Sequence, residues 1–184
     1  TYSKEYAEKF TEEPVVIGKY TDPDPSVDFI KNIYRLEKFG PDPEPMVPAY
    51  EENLDTEVLA VSFSPVSGAM MDRFHNLRVI GISRTGTENV DIPAATERGI
   101  LVVNAAGRNA NAVSDYAIGL MIAEARNIAR QHALMKADGL VKEFSNNAIM
   151  PDLHGKTVGL FGFGYIGKLM AEKLSGFHVK IIAV

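Results

Sequence analysis

The chain is expected to fold as an α/β protein, an open parallel doubly wound sheet followed by the start of a second sheet of the same kind. Three observations lead there. Short apolar runs of strand length alternate with helical patterns from Val58 to Val103, the rhythm of parallel βα units. Lys156 to Val184 reads as strand, glycine turn, helix and strand. Between them, Asn109 to Asp138 carries Val113, Tyr116, Ala117, Leu120 and Met121 at the spacing of one long helix.

Taken in order, Val15 to Tyr20 reads as the first strand, and Asp22-Pro23-Asp24-Pro25 turns the chain after it. Val27 to Phe39 sets Phe29, Ile30, Ile33, Tyr34 and Leu36 in a helical pattern. Gly40 to Pro48, with its four prolines, is an extended loop or an edge strand. Strands are expected at Val58 to Phe63 and Leu77 to Ser83, with a helix at Gly68 to Phe74 between them. Asp91-Ile92-Pro93 opens a short helix, an acid at the N-cap and proline just inside, and Gly99 closes it. Ile100 to Val103 is the next strand. This rhythm predicts a sheet of about five strands. A second lobe is expected from about Asn104, with Asn104 to Arg108 as the crossing point, giving domains at 1–104 and 105–184. Leu153-His154-Gly155-Lys156 then turns into the strand of Val158, Leu160 and Phe161.

Gly162, Gly164 and Gly167 have the G-x-G-x-x-G spacing, between that strand and a helix running from Tyr165 to Ser175. Val179 to Val184 follows as a second strand. In a Rossmann-type dinucleotide site each glycine has its own task. The first lets the chain turn sharply, the second lets a pyrophosphate approach the backbone, and the third lets helix and strand pack closely. The anion rests on the unpaired N–H groups that open the helix, here those of Tyr165 and Ile166. Gly162, Gly164, Tyr165, Ile166 and Gly167 are therefore the candidate cofactor-binding residues, a plain tight turn being the alternative. Such units carry a ribose-binding acid roughly 20 residues further on. The only acid after the glycines is Glu172, inside the helix, so the chain is expected to be the N-terminal portion of a longer protein, and NADP stays open beside NAD.

Composition narrows the classes. The chain has 184 residues, 46% apolar and 23% charged, with a formal charge of −5 and a pI near 5.4. That balance argues against nucleic acid or an anionic membrane as partner. Absence of cysteine excludes disulfides, thiolate zinc sites and a cysteine nucleophile. The longest apolar run, Ala117 to Ala123, is too short to span a bilayer. Thr1 to Glu13 is charged and polar, with no basic-then-apolar leader; the cytoplasm is the expected compartment. Met70, Met71, Met121 and Met170 read as core packing, and no metal site is expected. His75, His132, His154 and His178 have no evident acid partner and are read as structural.

Three further segments resemble the D-isomer-specific 2-hydroxyacid dehydrogenases, the family that includes phosphoglycerate, glyoxylate/hydroxypyruvate and formate enzymes. Leu77 to Asp91 (LRVIGISRTGTENVD) is similar to the family's strand and "G-x-x-N-[IV]-D" loop. Ala94 to Asn104 (AATERGILVVN) matches "AA-x-x-x-GI-x-V-x-N". Arg108 to Asp115 stands where the family begins its "N-x-x-[ST]-VAE" helix. The resemblance implies a flavodoxin-like parallel-sheet substrate lobe, a Rossmann-type NAD lobe, and an active site between them. It implies a hydride transfer between NAD(H) and a small 2-hydroxy/2-oxo acid. The long helix carries more apolar surface than a monomer would leave bare, so a homodimer joined through the nucleotide lobe is expected. In the family the Thr85-Gly86 loop offers N–H groups to the substrate carboxylate; the alternative is a turn needing positive φ at Gly86. Asn111 holds the position of a small polar side chain near the nicotinamide-side phosphate, or is simply a polar residue opening a helix. Asp115 stands in place of the usual Glu, one methylene shorter. The family's catalytic Arg, and its His with an acid partner, lie beyond the glycine unit, so no catalytic residue is assigned within this chain. Arg84 is either an attractor of anionic substrate or a solvated surface residue. Ser62 to Val66 lacks the basic residue of phosphoglycerate-specific relatives. A nucleotide-sensing corepressor on the same fold is the alternative function, and an adenosylhomocysteine-hydrolase-like enzyme a weaker one.

Overall fold

A computed structural model describes residues 4–9, 11–12, 15–18, 28–41, 46–137, 139, 143–144, 146 and 152–184. It divides into two units, Thr1–Ala106 and Gly107–Val184.

In the first unit, α1 (Lys4–Ala7) is a single turn. Helix α2 (Phe29–Phe39) starts at Asp28, whose carboxylate accepts from the Lys31 amide at 2.8 Å. It stops at Gly40, where φ is 75°. Pro48 does not end an extended loop as expected; it opens the helical turn α3 (Pro48–Glu51), where its missing N–H costs nothing. The prolines at 43 and 45 lie outside the described residues, as does the Asp22–Pro25 turn. Strands β1 (Val58–Val61), β2 (Val79–Ile82) and β3 (Leu101–Asn104) form one parallel sheet in that order. Val58 pairs with Val79, and Val79 with Leu101. Helices α4 (Gly68–Met71) and α5 (Ile92–Glu97) cross over between them.

Local chemistry explains both crossovers. Ser67 accepts from the Met70 amide at 3.3 Å, and Asp91 from the Ala94 amide at 3.0 Å. Pro93 fits the first turn of α5, and Gly99 leaves it with φ at 66°. Arg98 grips Asp72 through Nε and Nη2 at 2.8 and 2.9 Å while its Nη1 caps the Ala94 carbonyl at 2.9 Å. The Arg98 hydrogen bonds hold the Asp72 carboxyl below the ordinary aspartate range. Beneath these elements Ile80, Val66, Met70, Ala95 and Val47 are almost completely buried, the apolar burial that drives such a unit to fold.

Among the described residues this sheet has three strands, fewer than the rhythm predicted. Val15 to Gly18 forms no ladder, and Val16 and Ile17 are exposed. Gly18 lies flat against α3, where a Cβ would come within 2.3 Å of the Ala49 Cβ. Lys19 and Tyr20, the rest of that predicted strand, lie outside the described residues.

The second unit opens with α6 (Ala110–Ala125) and α7 (Ile128–Ala137). One uninterrupted helix was expected; Asn127 breaks it. Its φ is 55°, a left-handed conformation that asparagine tolerates better than most residues. The side chain is fully buried. Its Nδ2 donates to Asn146 at 2.7 Å, and its Oδ1 accepts from Arg130 at 2.8 Å. The backbone carbonyl accepts from the Gln131 amide at 2.8 Å, starting the second helix. Strands β4 (Thr157–Leu160) and β5 (Lys180–Ala183) pair in parallel, Thr157 opposite Lys180. Helix α8 (Tyr165–Leu174) and a 3-10 turn (Ser175–Phe177) connect them. Phe161, predicted within the strand, lies past its end and is 95% exposed.

Candidate coenzyme cradle and carboxylate loop

The three glycines of the second unit differ in what they permit. Gly162 turns the chain out of β4 with φ at 99°, while its amide donates to the Val184 carbonyl at 2.9 Å. Only glycine holds that conformation without strain. Gly164 is the N-cap of α8, with no side-chain cap. A Cβ there would meet nothing within 4 Å, so the backbone is open to a ligand. Gly167 is the opposite case. A Cβ would stand 2.3 Å from the Gly162 carbonyl oxygen and 3.2 Å from its carbon. Helix and turn touch there, and no side chain fits.

Helix α8 receives its first bond from the Lys168 amide to the Gly164 carbonyl, at 3.1 Å. The amides of Tyr165, Ile166 and Gly167 therefore precede any intrahelical acceptor. They point out at the positive end of the helix dipole, beside the bare α-carbon of Gly164. The arrangement suits an anion that can approach backbone closely, such as a diphosphate. Tyr165 is exposed, and its ring packs on Gly107, where a Cβ would lie 3.0 Å away.

Asn111 is exposed on the first turn of α6. Its carbonyl accepts from Ser114 Oγ at 2.8 Å and from Lys173 Nζ at 3.2 Å. Lys173 also reaches Ser114 Oγ at 2.7 Å and Asp115 Oδ1 at 2.6 Å. The structure thus joins the Asn111 carbonyl, and not its side chain, to the last turn of α8. Asp115, despite its short side chain, pairs with a lysine of its own unit. Lys173 was missed from sequence: Asn111, Ser114 and Asp115 share a helix face, but nothing in the sequence links that face to position 173.

In the first unit, Thr85 and Gly86 follow β2. The Thr85 carbonyl accepts from Asn104 Nδ2 at 2.7 Å, and the Gly86 carbonyl from Arg84 Nε at 3.2 Å. Gly86 is not in the left-handed region, which corrects the reading of a positive-φ turn. Its missing side chain leaves room for an ion pair. A Cβ would lie 2.3 Å from Glu88 Oε2 and 2.5 Å from Arg84 Nη2, and those two groups bond to each other. Arg84 is not a solvated surface residue. Its side chain is 12% exposed, stacks on Phe63 at 4.6 Å, and has Glu37 at 3.8 Å as a second acid. Asn89, fully buried, fastens the far side of the loop by donating to the Ser64 carbonyl at 2.8 Å.

One histidine departs from expectation. His75 Nδ1 lies 2.8 Å from Asp55, but both side chains are largely exposed. His154 and His178 meet edge to face at 5.5 Å. Among the described residues no group of three or more His, Asp or Glu is placed to hold a metal ion, and no helix is long and apolar enough to cross a membrane.

Residues 21–175 match the family described as D-isomer specific 2-hydroxyacid dehydrogenase, catalytic domain. A hydroxypyruvate reductase from Thermotoga maritima is 38% identical over 130 residues, 70% of this chain and 42% of the relative. A glyoxylate reductase from Thermofilum pendens is 35% identical over 126 residues, 68% of this chain and 37% of the relative. The chain thus spans about two fifths of the length of these relatives, between 37% and 42%. The solved structure of an NAD-dependent formate dehydrogenase from Staphylococcus aureus, in complex with NAD, matches with a TM-score of 0.54 at 28% identity. That match covers 72% of this chain and 42% of the other. On this fold, with these motifs and these relatives, the chain belongs to the D-isomer-specific 2-hydroxyacid dehydrogenase family.

Proposed function

We propose that the whole protein transfers a hydride between NAD(H) and a small 2-hydroxy/2-oxo acid. The observation that carries this reading is the threefold division of labour among Gly162, Gly164 and Gly167: one turned, one open, one pressed against backbone. A plain turn has no use for that combination; a diphosphate site needs all three. The backbone amides of Tyr165 and Ile166 hold the diphosphate, and the Gly162-Gly167 contact fixes their aim. Asn111, at the start of α6, serves the nicotinamide side. When bound, the coenzyme supplies hydride chemistry. The first unit is the substrate lobe, where the Thr85-Gly86 loop receives the carboxylate of the acid. Holding the acid in one pose is what the chain contributes to the rate.

NAD is proposed over NADP on the likeness to the NAD-bound formate dehydrogenase; the cradle itself accommodates either diphosphate. Tyr116 and Leu120 of α6 and Met135 of α7 are 69%, 53% and 56% exposed, apolar area that supports a homodimer through the second unit. The sensing alternative gains no specific support, since both relatives named above are reductases.

Steady-state assay of the whole protein with NADH and glyoxylate or hydroxypyruvate is expected to show NADH oxidation dependent on the acid. No turnover with either acid would overturn the reading. The 184-residue chain alone is expected to show none, because the proton-transfer group is assigned to neither of its units.

A further inference from the structure

Three successive carbonyls of the proposed carboxylate loop are gripped from one strand end and one side chain. The Ala105 amide, just past β3, donates to the Arg84 carbonyl at 3.1 Å and to Ile82 at 3.0 Å. Asn104, the last residue of β3, donates its side-chain amide to the Thr85 carbonyl at 2.7 Å. Arg84 folds back on its own loop, Nε to the Gly86 carbonyl at 3.2 Å. A trans peptide is planar, with its N–H opposed to its C=O. Fixing the Thr85 carbonyl therefore fixes the direction of the Gly86 amide, and fixing the Gly86 carbonyl fixes the Thr87 amide. Neither amide donates to an acceptor among the described residues.

Each gripping group is itself held. Asn104 stands opposite Ile82 in the parallel ladder. Arg84 is held on the Phe63 ring and by Glu88 and Glu37. We propose that Asn104 and Arg84 are positioning residues for the 2-oxo acid, aiming the Gly86 and Thr87 amides at its carboxylate without touching it. The proposal rests on the dehydrogenase reading and deepens it. Arg84 then acts through the loop: its Nε holds the Gly86 carbonyl and its Nη2 is taken by Glu88, while its buried Nη1 has no partner among the described residues.

The test is steady-state kinetics on the whole protein carrying Asn104→Asp or Arg84→Met, with NADH binding followed by fluorescence and stability by thermal melting. Asn104→Asp keeps the size of the side chain but sets an acceptor against the Thr85 carbonyl. In both variants KM for the 2-oxo acid is expected to rise about tenfold, within what a hydrogen bond to a charged group supplies. The kcat moves less, and NADH affinity stays at the wild-type value. Arg84→Lys, which retains a donor and a charge, recovers part of the KM. Asn104→Ala, which brings no like charge to the carbonyl, replaces Asn104→Asp if that variant melts early. An active wild type whose variants keep its KM overturns this proposal alone. A wild type inactive toward every 2-oxo acid overturns the dehydrogenase reading and this proposal with it.

Discussion

Gly167→Ala is expected to cost about 1–3 kcal/mol of stability, the range for one methyl forced into packed structure, and about 10- to 100-fold in NAD affinity, the scale of a lost hydrogen bond to a charged group. The methyl would begin 2.3 Å from the Gly162 oxygen, well inside contact distance. Alanine has no rotamer by which to escape, and the obstacle is backbone rather than a movable side chain. Either α8 shifts away from the turn, or the turn at Gly162 distorts from its φ of 99°. Both responses displace the Tyr165 and Ile166 amides from their shared aim. Thermal melting and calorimetric titration with NAD measure the two losses, and a variant matching the wild type in both would show that the helix does not need this contact.

Gly164→Asp is expected to separate those two effects. The site of the new side chain is open, and a φ of −82° lies outside the left-handed region that favours glycine. Aspartate is moreover a favoured N-cap, able to accept from the first-turn amides. The melting temperature should therefore hold or rise slightly. NAD affinity should nevertheless fall by at least about 100-fold, because a carboxylate beside the diphosphate costs several kcal/mol by like-charge repulsion. It also occupies the amides the ligand needs. Unchanged affinity would mean that the anion sits elsewhere. Paired with Gly167→Ala, it distinguishes a residue that builds the cradle from one that lines it.

How far the sequence reveals these features depends on whether their cause is local. The α5 helix was legible because Asp91, Pro93 and Gly99 each act within a few residues of their own position. The glycine turn was legible for the same reason, since its spacing directly encodes its geometry. The break at Asn127 was not. Helical periodicity runs straight through it, and the cause is a buried contact with Asn146, which no local pattern announces. The burial of Arg84 was not legible because its stacking on Phe63 depends on how β1 and β2 lie side by side. Asn104 reads only as the last residue of a strand, and its grip on Thr85 joins residues 19 apart in sequence. Val15 to Gly18 carries strand-like residues, yet the short segment pairs with no neighbour among the described residues; propensity alone cannot supply a partner.

The most direct test of the cradle is a crystal structure of the whole protein with NAD. The diphosphate is predicted to lie over Gly164, its oxygens within hydrogen-bonding distance of the Tyr165 and Ile166 amides. Coenzyme bound with its diphosphate away from the start of α8 would contradict the account.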